Sequence, residues 1–166
     1  MGEWDASFYA LDAKRGVLRL SCGPPTEGRP PLLWRASRTL VQKVVCPAFT
    51  ASVKLDFFCL RAGGQAGLAL IGGQYAYLAV RKTRTENGTR TSLCYVFSKG
   101  NGETRAETVR EERPLPEGAA AVRLKMEFVP TGDDSATAVF SAAVNGAPFA
   151  PFSPPFVPTR DTWVGA

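Results

Sequence analysis

The chain has 166 residues, 45% of them apolar and 21% charged, with 20 basic against 15 acidic side chains for a net charge of +5. That length suits one domain with its own core, and the composition, close to the globular average, indicates neither a disordered nor a membrane class. No apolar run approaches the length that spans a bilayer.

The first residues, MGEWDASFYA, lack the basic start and continuous apolar stretch of a signal peptide. The expectation is that the protein stays inside the cell or that a leader is missing from this sequence, which leaves a cytoplasmic and a secreted bacterial parent both open. Next, Lys14-Arg15-Gly16 reads as a turn into the alternating strand VLRLSC. Pro24-Pro25 and Pro30-Pro31 bracket a loop that cannot be a central strand, because proline offers the ladder no N–H. Helical spacing is conceivable from Leu33 to Leu40, but the β-branched residues from Thr39 to Val45 argue for an extended segment.

The stretch 40–80 organises the chain. Thr50, Ser52, Lys54 and Asp56 alternate with Ala51, Val53, Leu55 and Phe57, so this strand has one wet and one apolar face. Ala62-Gly63-Gly64 turns into QAGLALI, and Gly72-Gly73 into QYAYLAV, which reads as three strands in series at the middle of a sheet. Arg81, Lys82, Arg84 and Arg90 then crowd a hairpin tip turned by Glu86-Asn87-Gly88-Thr89. No aromatic interleaves with these charges, so the tip reads as a solvated loop and not as a nucleic-acid surface.

TRTSLCYVFS reads as a strand, with the polar GNGETRAETVREERPLPEG as an edge strand beside it. VRLKMEF places Val122, Leu124, Met126 and Phe128 on one face; Thr131-Gly132-Asp133-Asp134 turns into ATAVFSAAV, and Asn145-Gly146 into APFAPF. Short strands with turns every eight to twelve residues and no long helix predict an all-β antiparallel sandwich, one domain over residues 1–166.

Catalysis finds little to work with. The chain has no histidine, and Cys22, Cys46, Cys59 and Cys94 form no CxxC pair, which argues against zinc. Cys46 and Cys59 read as small buried hydrophobes, with disulfides left open. Asp56 has no evident partner, and Glu103, Glu107, Glu111 and Glu112 lie on a segment that reads as solvated. No serine sits in a nucleophile elbow, and the glycine pairs lead into strands and not into helices that would cradle phosphate. Binding is better supplied. A sugar ring stacks on an exposed aromatic flanked by amides or carboxylates, and Trp4, Trp34, Tyr75, Tyr77, Tyr95 and Trp163 are the candidate aromatics. Tyr75 and Tyr77 share one strand face beside Gln74; the alternative for them is packing with the phenols at the rim. Trp34, Gln42, Tyr75 and Tyr77 are the expected carbohydrate contacts. Phe57, Phe128, Phe140 and Phe152 are expected in the core or as loop anchors.

Five blocks in order carry a resemblance: Leu40, Gln42 and Lys43; Leu55, Asp56 and Phe57; Ala66, Gly67 and Leu68; Tyr75, Tyr77 and Leu78; and Trp163-Val164-Gly165-Ala166. Together they resemble the C-terminal β-sandwich of family 43 glycoside hydrolases, the β-xylosidase and arabinofuranosidase group, some of whose members are classed as xylan-binding modules. The resemblance implies a concanavalin-A-like jelly roll of two antiparallel sheets, and a role as a non-catalytic module recognising xylan or arabinoxylan. The alternative is a domain that only buttresses a catalytic propeller. It also implies a propeller partner elsewhere in a larger hydrolase and, in some members, a loop aromatic lent to the active-site rim. The loop 60–64 lacks such an aromatic. The family domain continues past its tryptophan block, so a sandwich short of its last strand is expected. No cofactor is implied beyond a structural calcium in such jelly rolls, for which Asp133 with Asp134 or Asp161 could supply oxygens; the alternative for these residues is a polar turn.

Overall fold

The computed structural model describes residues 8–23, 32–36, 38–44, 46–100, 104–132 and 135–159. Trp4, the proline pairs, Asp133, Asp134, Asp161 and the closing block from Trp163 lie outside the described residues, so the calcium expectation and the last motif block do too. The chain divides into two compact units, Met1–Gln42 and Lys43–Ala166.

In the first unit β1 (Tyr9–Asp12) pairs antiparallel with β2 (Val17–Leu20) across the expected turn, where Asp12 Oδ1 accepts from the Arg15 N–H at 3.1 Å. The register sets Tyr9 opposite Leu20 and Leu11 opposite Leu18. Because side chains alternate across a strand, these four share one face, with Ala10, Asp12, Val17 and Arg19 on the other. A 3₁₀ turn follows at Leu33–Arg35, and the segment 38–44 forms no strand despite its β-branched residues.

The second unit is a sandwich of two four-stranded antiparallel sheets. One is ordered β10 (Ala150–Pro151), β9 (Ser135–Val144), β8 (Ala121–Gly132), β3 (Phe49–Asp56); the other runs β4 (Gln65–Ile71), β5 (Tyr75–Thr85), β6 (Gly88–Lys99), β7 (Ala106–Pro114). The alternation read in the sequence decides what each sheet buries. Ala76, Leu78 and Val80 of β5 and Leu93 and Tyr95 of β6 form one core with Val122, Leu124 and Met126 of β8 and Ala138 and Phe140 of β9. At roughly 2 kcal/mol for each large apolar side chain removed from water, this layer dominates the stability. Phe57, Phe140 and Phe152 lie in the core and Phe128 packs against it, as expected.

One connection differs from the sequence reading. β3 does not form a meander with β4; it pairs over its whole length with β8, from Phe49 opposite Phe128 to Asp56 opposite Ala121. The apolar faces explain the choice: this register brings Ala51, Val53 and Leu55 beside Met126, Leu124 and Val122. The segment 57–64 is therefore a crossover between sheets, pinned to the core by Phe57 and Leu60. The Asn145-Gly146 turn is as expected, with both φ positive, at 50° and 81°, and the Ala147 N–H closing on the Val144 carbonyl at 3.0 Å. β7 is the predicted edge strand beside β6. Its ladder carries a bulge, because Tyr95 faces Glu111 while Val96 faces Val109.

Candidate functional site

The second face of the β4–β7 sheet, turned away from the shared core, carries a connected polar network. On β5 the residues Tyr75, Tyr77, Ala79 and Arg81 point to this face, since Ala76, Leu78 and Val80 point to the core. β4 contributes Gln65, which sits opposite Arg81. β6 contributes Ser92, Cys94, Val96 and Ser98, and β7 contributes Glu107 and Glu112, opposite Ser98 and Cys94. Glu107 and Glu112 stand five residues apart, so in a regular strand they would face opposite ways; the bulge between them brings both to this face.

Both oxygens of the Glu107 carboxylate are engaged. Tyr75 donates its hydroxyl to Oε1 at 2.7 Å and Tyr77 donates to Oε2 at 2.8 Å. The Tyr77 hydroxyl accepts in turn from Gln65 Nε2 at 3.1 Å, and the Gln65 Oε1 accepts from Arg81 Nε and an Arg81 terminal nitrogen at 3.2 and 3.1 Å. Ser98 Oγ accepts the Tyr75 N–H at 3.0 Å, and the Arg105 guanidinium lies 5.5 Å from the Tyr75 ring centre. Further along the face, Ser92 donates to Glu112, whose Oε1 lies 3.8 Å from the Arg90 guanidinium.

The structure places the sequence-expected contacts differently from one another. Tyr75 is 0% and Tyr77 4% exposed, so neither presents a ring face on which a pyranose could stack. Trp34 and Gln42 belong to the first unit and are both exposed, Trp34 by 42%. Gln74 is half-buried, with its N–H donated to Thr159 Oγ1 at 2.9 Å. Two cysteines depart from expectation: Cys46 and Cys59 are exposed, whereas Cys94 is buried, and all four thiols are free. Cys59 lies on the crossover beyond the end of β3, where the strand's alternation no longer directs it inward. Among the described residues no three Cys, Asp or Glu side chains gather where they could hold a metal ion.

Phe58 is the aromatic that sequence reading missed. It is 84% exposed at the start of the crossover, with its N–H donated to Asp56 Oδ1 at 3.0 Å. Phe58 follows the end of β3, where the strand's alternation no longer sets which residue faces the core, so the doublet Phe57-Phe58 by itself did not mark it.

Burial also sets the ionisation of this face. It pushes the Tyr77 phenol well above its usual 10.0, and the Glu107 carboxylate adds to the rise. Burial likewise pushes the Cys94 thiol from 9.0 up to about 11, and raises Tyr95. These groups are neutral when protonated. As pH rises past 9.0 the unfolded chain loses the Cys94 proton while the folded chain keeps it up to about 11. Stability is therefore fully present below pH 9.0 and falls toward pH 11, by at most about 1.4 kcal/mol per pH unit for each group. Urea unfolding across that window should show the fall, and Cys94→Ala should delay its onset to the tyrosine range; an unchanged profile in the variant would contradict the assignment.

A family model described as the beta xylosidase C-terminal concanavalin A-like domain matches residues 3–166. No curated protein and no solved structure matches the chain. The two-sheet antiparallel sandwich agrees with that description. The chain therefore belongs to the C-terminal concanavalin A-like domain family of the family 43 β-xylosidases.

Proposed function

We propose that this domain serves a xylan-degrading glycosidase without taking part in catalysis, and that it docks on the catalytic domain through the apolar face of its N-terminal hairpin. One observation carries the reading. Tyr9, Leu11, Leu18 and Leu20 form a continuous face across two strands, yet they are 46%, 69%, 44% and 45% exposed. A two-stranded hairpin is marginal in water by itself, and covering these side chains is worth about 1 to 2 kcal/mol each. The same unit also exposes Trp34, Leu40 and Val41.

The test is association in solution between the full chain and a family 43 catalytic domain supplied separately, followed by calorimetry. Leu11→Asp with Leu18→Asp should weaken association at least a hundredfold, since two desolvated carboxylates replace apolar contacts. These positions are exposed, so the fold should survive. Association unchanged by the double substitution would sink the reading.

A second reading, contact with the polysaccharide, is favoured by Phe58. An exposed ring next to a carboxylate has the makings of a sugar platform, and Asp56 lies two residues before it. Phe58→Ala should leave thermal stability within about 0.5 kcal/mol, as for an exposed side chain, while abolishing retardation in gels containing a xylan without uronic acid groups. Retardation retained in that variant would exclude Phe58 as the platform.

A further inference from the structure

The sheet that holds β3 and β8 has an outer face of its own, and its charges are placed unusually. Alternation sends Thr50, Ser52, Lys54 and Asp56 of β3 outward, because Ala51, Val53 and Leu55 pack on the core. It does the same for Arg123, Lys125 and Glu127 of β8, whose Val122, Leu124 and Met126 are buried. The register sets Lys54 directly opposite Arg123, Ser52 opposite Lys125, and Thr50 opposite Glu127. Like charges directly opposite in a ladder destabilise it. The Lys54 side chain has no hydrogen bond or ion pair among the described residues. Lys125 is paired with Glu127 at 2.8 Å, and Asp56 accepts the Phe58 N–H.

The neighbouring turn fixes these cations in place. The Phe149 ring centre lies 5.0 Å from the Arg123 guanidinium and 5.1 Å from Lys125 Nζ. One Arg123 terminal nitrogen donates to the Ala147 carbonyl at 3.1 Å. That arrangement holds the guanidinium plane while leaving its other donors free for a ligand.

The geometry points to a binding site for a carboxylate-bearing sugar on this face, a uronic acid side group of a hemicellulose chain. Arg123 supplies a planar fork that matches a carboxylate, Lys54 a second positive charge across the ladder, and Ser52 and Thr50 hydroxyls for neutral sugar units along the strand. These residues line up along two paired strands, which suits an extended polymer. The choice of polymer rests on the glycosidase reading above, but the site uses neither the hairpin nor Phe58.

Affinity electrophoresis of the full chain tests it, in gels containing glucuronoxylan, the same polymer after carboxyl reduction, or poly-glutamate. Glucuronoxylan should retard the protein more strongly than the reduced polymer does, and poly-glutamate should not retard it. Lys54→Gln with Arg123→Gln should weaken glucuronoxylan binding at least tenfold, the value of losing one charge-assisted hydrogen-bonding partner, without lowering the melting temperature. Arg84→Gln, at the exposed β5–β6 tip, should have no effect. Equal retardation by the reduced polymer, equal retardation by poly-glutamate, or a loss in Arg84→Gln as large as in the double variant would each overturn the site. Association of the Lys54/Arg123 variant with the catalytic domain, measured in parallel, should be unchanged, which separates failure of this site from failure of the docking reading.

Discussion

Glu107→Ala is expected to lower the stability of the chain by about 3 to 5 kcal/mol. The single carboxylate accepts from Tyr75 and Tyr77, which are 0% and 4% exposed, so its loss leaves two buried hydroxyls without their acceptor. An unsatisfied buried polar group costs about 1 to 3 kcal/mol. The Tyr77 hydroxyl also anchors Gln65, and through it Arg81, so part of the β4–β5 ladder loosens as well. Glu107→Gln keeps one acceptor oxygen and should cost less, about 1 to 2 kcal/mol. Urea midpoints at constant slope would measure both. A Glu107→Ala midpoint indistinguishable from the parent would mean that the network does not support the sheet.

Gly67→Val is expected to detach β4 from the sheet. A Cβ at this position would lie 2.1 Å from the Leu78 carbonyl oxygen, 2.5 Å from Ala79 Cα and 2.7 Å from Ala79 Cβ. Two of these atoms are backbone and cannot swing aside, so β4 must lift from β5. Doing so forfeits a seven-residue pairing from Gln65 opposite Arg81 to Ile71 opposite Tyr75, together with the burial of Leu70. The cost is expected to exceed about 3 kcal/mol, by the same reasoning as other overpacked sites with an unyielding neighbour. Gly67→Ala carries the same first atom and should share most of it. A thermal midpoint for Gly67→Ala within a few degrees of the parent would contradict the close approach. This contact gives a physical reason for glycine in the Ala66-Gly67-Leu68 block: only a residue without Cβ lets the two backbones meet there.

Much of the fold was legible because alternation is a local signal. Thr50 to Phe57 and Val122 to Phe128 announce their strands and their buried faces directly, and Asn145-Gly146 announces a turn that needs two positive φ angles. What escaped was non-local or out of phase. The partner of β3 lies some seventy residues away at β8, and nothing in the Ala62-Gly63-Gly64 turn says that the chain is changing sheets. Glu107 read as a solvated residue because its whole segment is polar, and nothing local reports the bulge in β7 that brings Glu107 and Glu112 to one face. The burial of Tyr75 and Tyr77 did have a signal. YAYLAV is apolar on both faces, and a strand with no polar face is one that is covered on both. The apolar face of the N-terminal hairpin emerges only from the register, which aligns Tyr9 with Leu20 and Leu11 with Leu18.

Hydrogen exchange of the full chain, alone and saturated with a family 43 catalytic domain, bears most directly on the proposed docking. In the free chain every residue of β1 and β2 is exposed, so their amides should exchange far faster than those of β5 and β6. The account predicts that the partner slows exchange at Tyr9–Asp12 and Val17–Leu20 by at least tenfold while leaving β7 unchanged. Binding that protects the sandwich strands and leaves the hairpin exchanging freely would contradict it.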